Sequence, residues 1–285
     1  MSRRDAGAPP RPHGGKTAPG KAAIRSAAPR LKTRTPSGPG PFRPAGPDLV
    51  TIYGAHAVRA ALTAGRRKLL TLYATETALR RIDALARAAG LTPRLVEGRD
   101  LDARLGPEAV HQGVMLEARP LPEFDIADIE PRNGIVLVLD QITDPHNVGA
   151  ILRTACAFAV DALIITERHS PALTGVLAKA ASGALEHVPI APVVNLARAL
   201  DQLRDRGYAT LGLDSDGAAS LETLPLRPPL ALVLGAEGKG LRRLTRERCD
   251  AVARLDLPGP IRSLNVSNAC AAALAVVALR LRAAP

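Results

Sequence analysis

Residues 135–158 read IVLVLDQITDPHNVGAILRTACAF, passing from an apolar run through a polar turn into a helical pattern. The run 135–139 has strand length and no alternation, as in a strand buried on both faces. Pro145 keeps Asp144 out of the helical region, and Asn147 is well placed to cap the helix that follows. Val148, Ile151, Leu152, Ala155 and Ala159 recur at helical spacing as its buried face. Arg153 lies off that stripe, on the side of Gly149 and Ala150. Those small residues would leave a channel along which Arg153 could reach the strand-end turn. The same spacing also describes an exposed arginine with no role, and His146 reads either as a general base or as a polar turn residue.

Working outward, residues 162–165, 209–213 and 230–234 repeat the apolar run, separated by helix-length stretches at 171–181 and 195–206. Such strands joined by helical crossovers predict an α/β fold with a Rossmann-like parallel sheet, whose ligands bind at loops following the carboxyl ends of the strands. Two further loops carry unusual chemistry. In LVLGAEGKGL, residues 232–241, three glycines let backbone approach a ligand closely. The sequence is neither GxxxxGK[ST] nor GxGxxG, and Glu237 at its centre would repel phosphate and suits a cationic or hydroxyl-bearing ligand. A plain tight turn is the alternative. In LDLPGPIRSLNVSNACAAALAVVAL, residues 255–279, Ser263 and Asn265 precede a helix that is apolar all round, which demands burial in the core or in a subunit interface. Their bland role is capping. No GxSxG or SxxK pairing accompanies them, which argues against nucleophilic catalysis.

Upstream, short apolar runs alternate with helix-like stretches over residues 48–119, predicting a small α/β domain. Residues 120–132 hold four acids bracketed by Pro122 and Pro131 and read as the linker to a second domain, 133–285. Residues 1–47 differ in kind: ten Lys and Arg against one acid, ten of the 25 prolines, and Phe42 as the single aromatic. This composition cannot bury enough surface to offset ordering, so a disordered basic tail is expected, touching nucleic acid phosphates or acting as a solubilising extension. The formal charge of +11 therefore resides mainly there, because the remaining residues hold 28 basic and 26 acidic side chains.

The 46% hydrophobic content excludes wholesale disorder, and 2% aromatic argues against an RNA binder built on stacked rings. The three cysteines form no pattern with zinc-ligand spacing, so no metal is expected; they read as reduced thiols of a cytoplasmic protein. The longest apolar stretch, 269–279, is too short to cross a bilayer.

In that order, DPHNVGAILRTACAF, LVLGAEGKGL and LxxPGxxxSLNVS resemble the three signature motifs of the SpoU (TrmH-like) RNA 2'-O-ribose methyltransferases, together with KAASGALEHVPI at residues 179–190. YGAHAV at 53–58 and HQGV at 111–114 resemble the substrate-binding domain of the subgroup that methylates a guanosine in large-subunit (23S) ribosomal RNA. The resemblance implies a C-terminal deep trefoil knot, S-adenosylmethionine as cofactor, RNA as partner, and a homodimer whose active site combines both subunits. It places Asn147, Arg153, Glu237, Ser263 and Asn265 in the catalytic centre, with Gly235, Leu255 and Leu264 at the cofactor. Where the family usually has Ile-Pro-Met before the glycine, this chain has Leu255, Asp256 and Leu257, followed by Pro258. Transfer RNA is the alternative substrate, and a noncatalytic ribosome-assembly protein the alternative class. A guanidinium is a poor base at neutral pH, so Arg153 is expected to stabilise the developing alkoxide and a nearby phosphate.

Overall fold

The computed structural model describes Phe42, Gly46 and residues 48–168, 170–171 and 175–283. The expected basic tail, apart from Phe42 and Gly46, lies outside the described residues.

The first sheet combines β1 (Val50–Tyr53), β2 (Leu69–Ala74), β3 (Arg94–Leu95) and β4 (Val114–Ala118) in the order β1-β4-β2-β3. Strand β4 is antiparallel to both neighbours, and β2 runs parallel to β3. Helix α1 (Ala55–Ala64) starts where Gln112 Oε1 accepts from Ala55 N at 2.9 Å, so the HQGV loop closes the open end of the helix entered from YGAHAV. Helices α1 and α2 (Glu76–Ala88) bury Val58, Ala61, Ile82 and Ala86 against the sheet. Helix α3 (Gly98–Leu105) was not foreseen; its single buried residue, Leu101, gives no apolar period to read. Phe42 packs edge-on against the buried Tyr73 with ring centroids 4.9 Å apart.

Seven strands build the second sheet: β5 (Ile135–Asp140), β6 (Ala162–Thr166), β7 (Ile190–Val193), β8 (Ala209–Leu213), β9 (Ala219–Ser220), β10 (Leu230–Gly235) and β11 (Ala251–Arg254). Their order is β7-β6-β5-β10-β8-β11-β9, and every adjacent pair is parallel. Ile135, Leu137 and Leu139 face one core, shared with α4 (Pro145–Ala157), α5 (Gly175–Ala180) and α8 (Val266–Ala283). Val136 and Val138 face a second core with α6 (Leu196–Asp205). Burial on both faces is the physical reason these strands lack alternation. The short helix α7 (Arg243–Arg248) has few apolar residues, and β7 and β11, at four residues each, are too short to announce themselves in the sequence.

Helix α4 departs from expectation at three points. Its N-cap is Asp144, whose Oδ1 accepts from His146 N at 2.9 Å, with Pro145 in the first turn; Asn147 is thereby left free for another partner. Gly149 opens no channel: a Cβ there would lie 2.4 Å from Ala180 Cβ, so the glycine serves close contact with α5. Ala159 lies beyond the helix, exposed, with φ of 52°.

Among the described residues no helix is long and apolar enough to cross a membrane, and no cluster of His, Cys, Asp and Glu could hold a metal ion. Burial pushes the Cys249 and Cys270 thiols up to about 12, with Asp250 adding to the rise at Cys249, and it also raises Cys156. A thiol raised this way carries almost no thiolate at neutral pH. Iodoacetamide at pH 7.5 is therefore expected to leave Cys249 and Cys270 unmodified in the native protein, read by mass spectrometry; rapid alkylation of either contradicts the burial.

Candidate active site

The carboxyl ends of β5 and β10 lie side by side, Asp140 opposite Gly235 in register. The loops leaving them carry the first two motifs, and α8, entered from the third, starts alongside. Glu237 joins all three. Its Oε1 accepts from Val266 N at 3.1 Å, from Asn265 Nδ2, and from Asn147 Nδ2 at 3.4 Å; Asn265 Nδ2 also donates to Asn147 Oδ1 at 3.0 Å. Asn265 is in turn fixed as the cap of α8, its Oδ1 accepting from Ser267 N at 2.9 Å and Ser267 Oγ at 2.6 Å. The carboxylate sits at a helix N-terminus, where the helix dipole favours negative charge. Its second oxygen, Oε2, has no hydrogen bond among the described residues.

Two cavities meet at Glu237. One, of about 420 Å³, is lined by Gly235, Glu237, Leu255, Ser263 and Leu264 among others, within the range of small-molecule sites. The other, of about 340 Å³, is bounded by the turn 141–144, Asn147 and Glu237. The two share Ala236, Glu237, Lys239 and Val266 as walls. The larger cavity owes its shape to a folded-back loop: Ala236 bridges Gly240, and a Cβ on Gly235 would lie 2.2 Å from the Gly240 carbonyl carbon.

Two aspartates that the sequence reading passed over hold this loop. Asp140, fully buried at the end of β5, accepts from Arg242 N at 3.0 Å and Arg242 Nε at 2.6 Å. Asp214, at the end of β8, accepts from Arg246 Nη1 at 3.2 Å and Leu241 N at 3.5 Å. The signal was present as an acid closing an otherwise apolar strand, VLD in one case and GLD in the other. Asp140→Ala removes both bonds to Arg242 and is expected to cost about 2 kcal/mol, within the range for hydrogen bonds to charged groups. A urea unfolding midpoint equal to that of wild type would contradict this role.

The structure thus brings together Asn147, Glu237 and Asn265, and puts Gly235, Leu255, Ser263 and Leu264 on the adjoining cavity. Arg153 stands apart: it is exposed, lines neither cavity, and has no hydrogen bond or ion pair among the described residues. It lies six positions beyond Asn147 on α4, about 9 Å along the axis.

A profile of the SpoU rRNA methylase family matches residues 134–275, and one for RNA 2'-O ribose methyltransferase substrate binding matches residues 51–124. The 23S rRNA (guanosine-2'-O-)-methyltransferase RlmB of Pseudomonas putida is 39% identical over 231 residues, covering 78% of this chain and 92% of that protein. A putative TrmH family tRNA/rRNA methyltransferase of Bacillus subtilis, YacO, is 36% identical over 228 residues, covering 76% and 90%. In fold, the SpoU methyltransferase AviRb of Streptomyces viridochromogenes, solved with AdoMet, superposes with a TM-score of 0.71 at 21% identity, over 82% of this chain and 91% of that one. With its motifs at the carboxyl edge of one parallel sheet and a relative matched over nearly its whole length, the chain belongs to the SpoU rRNA methylase family.

Proposed function

We propose that the chain transfers a methyl group from S-adenosylmethionine to the ribose 2'-hydroxyl of a guanosine in 23S ribosomal RNA. The observation that carries the reading is Glu237, held by Asn147, Asn265 and the α8 backbone at the junction of two cavities, with one carboxylate oxygen unengaged. The 23S guanosine follows the RlmB relatives, which match this chain at about 39–40% identity.

The larger cavity fits the cofactor. It combines leucine walls from Leu255 and Leu264 and a glycine backbone that closes on itself with charged side chains such as Asp214, Asp216 and Arg246, a mixture that suits a flat adenosyl group carrying a charged amino acid tail. When bound, S-adenosylmethionine supplies a methyl group made electrophilic by a sulfonium. Glu237 Oε2 is placed to accept the hydrogen of the ribose hydroxyl and so orient its oxygen, while Asn147 and Asn265 keep the carboxylate from swinging. Ser263 lines the cofactor cavity and fixes the geometry of the substrate against it.

Arg153 completes the site from the second copy of a homodimer. Exposed apolar side chains support such a dimer: Leu279 on α8 is 67% exposed, and Ile261 on the loop before it is 73% exposed. Its guanidinium stabilises the alkoxide as it forms and an adjacent phosphate. Within this reading residues 48–119 recognise the RNA, 120–132 connect, 133–285 catalyse with their C-terminal part threaded as a deep trefoil knot, and 1–47 contact phosphates. The enzyme works in the cytoplasm, where ribosomes are made.

Mapping ribose methylation across ribosomal and transfer RNA in a deletion strain tests the substrate. One 23S guanosine is expected to lose its methyl group. A full complement of 23S methylation with loss at a transfer RNA position transfers the enzyme to that substrate instead.

A further inference from the structure

The small domain is not tethered loosely to the catalytic one. Arg67, between α1 and β2, reaches into the catalytic domain and meets Glu186 in a bidentate pair: Nε donates to Oε2 at 2.9 Å and Nη2 to Oε1 at 2.7 Å. The two side chains are only 2% and 3% exposed. Arg67 Nη1 also donates to Arg119 O at the end of β4, and Arg66 Nη1 donates to Glu186 O, each at 3.3 Å. Next to this pair the backbone at Gly183 lies against α1, where a Cβ would stand 2.5 Å from Ala60 Cβ. The connecting segment is held too, with Ile126 and Ile129 buried in the second core and Arg206 donating to Ala127 O and Ile129 O.

We propose that the Arg67–Glu186 pair is a positioning clamp that makes the two domains one rigid ruler, and that its span selects which ribose of the bound RNA reaches Glu237. This deepens, and rests on, the functional reading above. A buried ion pair contributes little to stability compared with apolar packing of the same volume, because desolvation offsets its attraction. What a bidentate arginine fork supplies is direction, fixing two planar groups in one geometry. The segment bearing Glu186 follows α5, which packs on α4 through the Ala180–Gly149 contact. Helix α4 carries Asn147 and Arg153, so the clamp references the small domain to the same helix that builds the reaction centre.

The test uses the full chain, S-adenosylmethionine and a transcribed 23S rRNA fragment. Glu186→Gln leaves Arg67 buried without its counter-charge. KM for the fragment is expected to rise about tenfold or more, a loss of one step on the affinity scale, with kcat at saturating RNA and affinity for S-adenosylhomocysteine kept. Methyl groups should spread to riboses neighbouring the wild-type position. A second variant, Arg67→Met with Glu186→Leu, refills the volume with apolar groups; it should hold the wild-type melting temperature yet show the same spread, which a merely structural role would not produce. Methylation confined to the wild-type nucleotide with unchanged KM in either folded variant overturns the clamp. Should wild type itself incorporate no methyl group, the functional reading fails, and small-angle scattering decides the clamp. A larger radius of gyration in Glu186→Gln than in wild type then supports it, and an equal one overturns it.

Discussion

Arg153→Ala is expected to lower methyl transfer by about 10²–10³, the cost of removing one preorganised donor from a developing oxyanion. S-adenosylhomocysteine binding should persist, since Arg153 lines neither cavity of its own chain. The same placement gives a sharper test. If each reaction centre takes Glu237 from one subunit and Arg153 from the other, mixing Arg153→Ala with Glu237→Ala chains regenerates intact centres. Each mixed dimer then holds one intact and one doubly broken centre. Random reassortment would restore about a quarter of wild-type activity from two inactive proteins. Two inactive proteins that stay inactive after refolding together rule out a shared site, and an Arg153→Ala enzyme with near wild-type turnover removes Arg153 from the mechanism altogether.

Gly235→Ala is expected to weaken S-adenosylhomocysteine binding about ten- to a hundredfold, as calorimetry would measure it, from an overpacking cost of about 1–3 kcal/mol. The added Cβ would stand 2.2 Å from the carbonyl carbon of Gly240 and 2.4 Å from its oxygen. Both are backbone atoms and cannot rotate aside. The loop has little room to shift as a body either, because Asp140 holds it through Arg242 and Asp214 through Leu241 N and Arg246. Relief must come from opening the bridge between Ala236 and Gly240, which deforms the wall of the cavity proposed for the cofactor. A folded Gly235→Ala protein with unchanged affinity shows that the cofactor does not lie against this backbone.

The parallel sheet could be read from sequence because burial on two faces leaves its mark on the first five residues of β5 and of β10. Its margins could not. Strand β11 is AVAR and α7 is RLTRER, and in both the backbone is ordered by neighbours rather than by an apolar period of its own. Within the site, the resemblance of the three motifs to the SpoU family implied that Asn147, Glu237 and Asn265 share a centre, while their mutual hydrogen bonds depend on which residue caps which helix. That was misread at α4, where both Asp144 and Asn147 have side chains suited to the role and only one position has the extended backbone a cap needs. The clamp between Arg67 and Glu186 was invisible for a different reason. Partners 119 positions apart carry no local signal, and each alone reads as a surface charge.

The place of β10 in the sheet also bears on how the chain is made. It lies between β5 and β8, yet it follows both in the sequence. On the ribosome, β5 and β8 therefore emerge with the gap between them unfilled, each presenting an apolar edge with free main-chain donors and acceptors. The centre of the sheet can close only after residues 230–235 have been synthesised. Contacts of such sequence separation form slowly, and an open edge of this kind is where nascent chains aggregate. A newly made chain should thus depend on holding factors until late in translation, well after its small N-terminal sheet has all four of its strands.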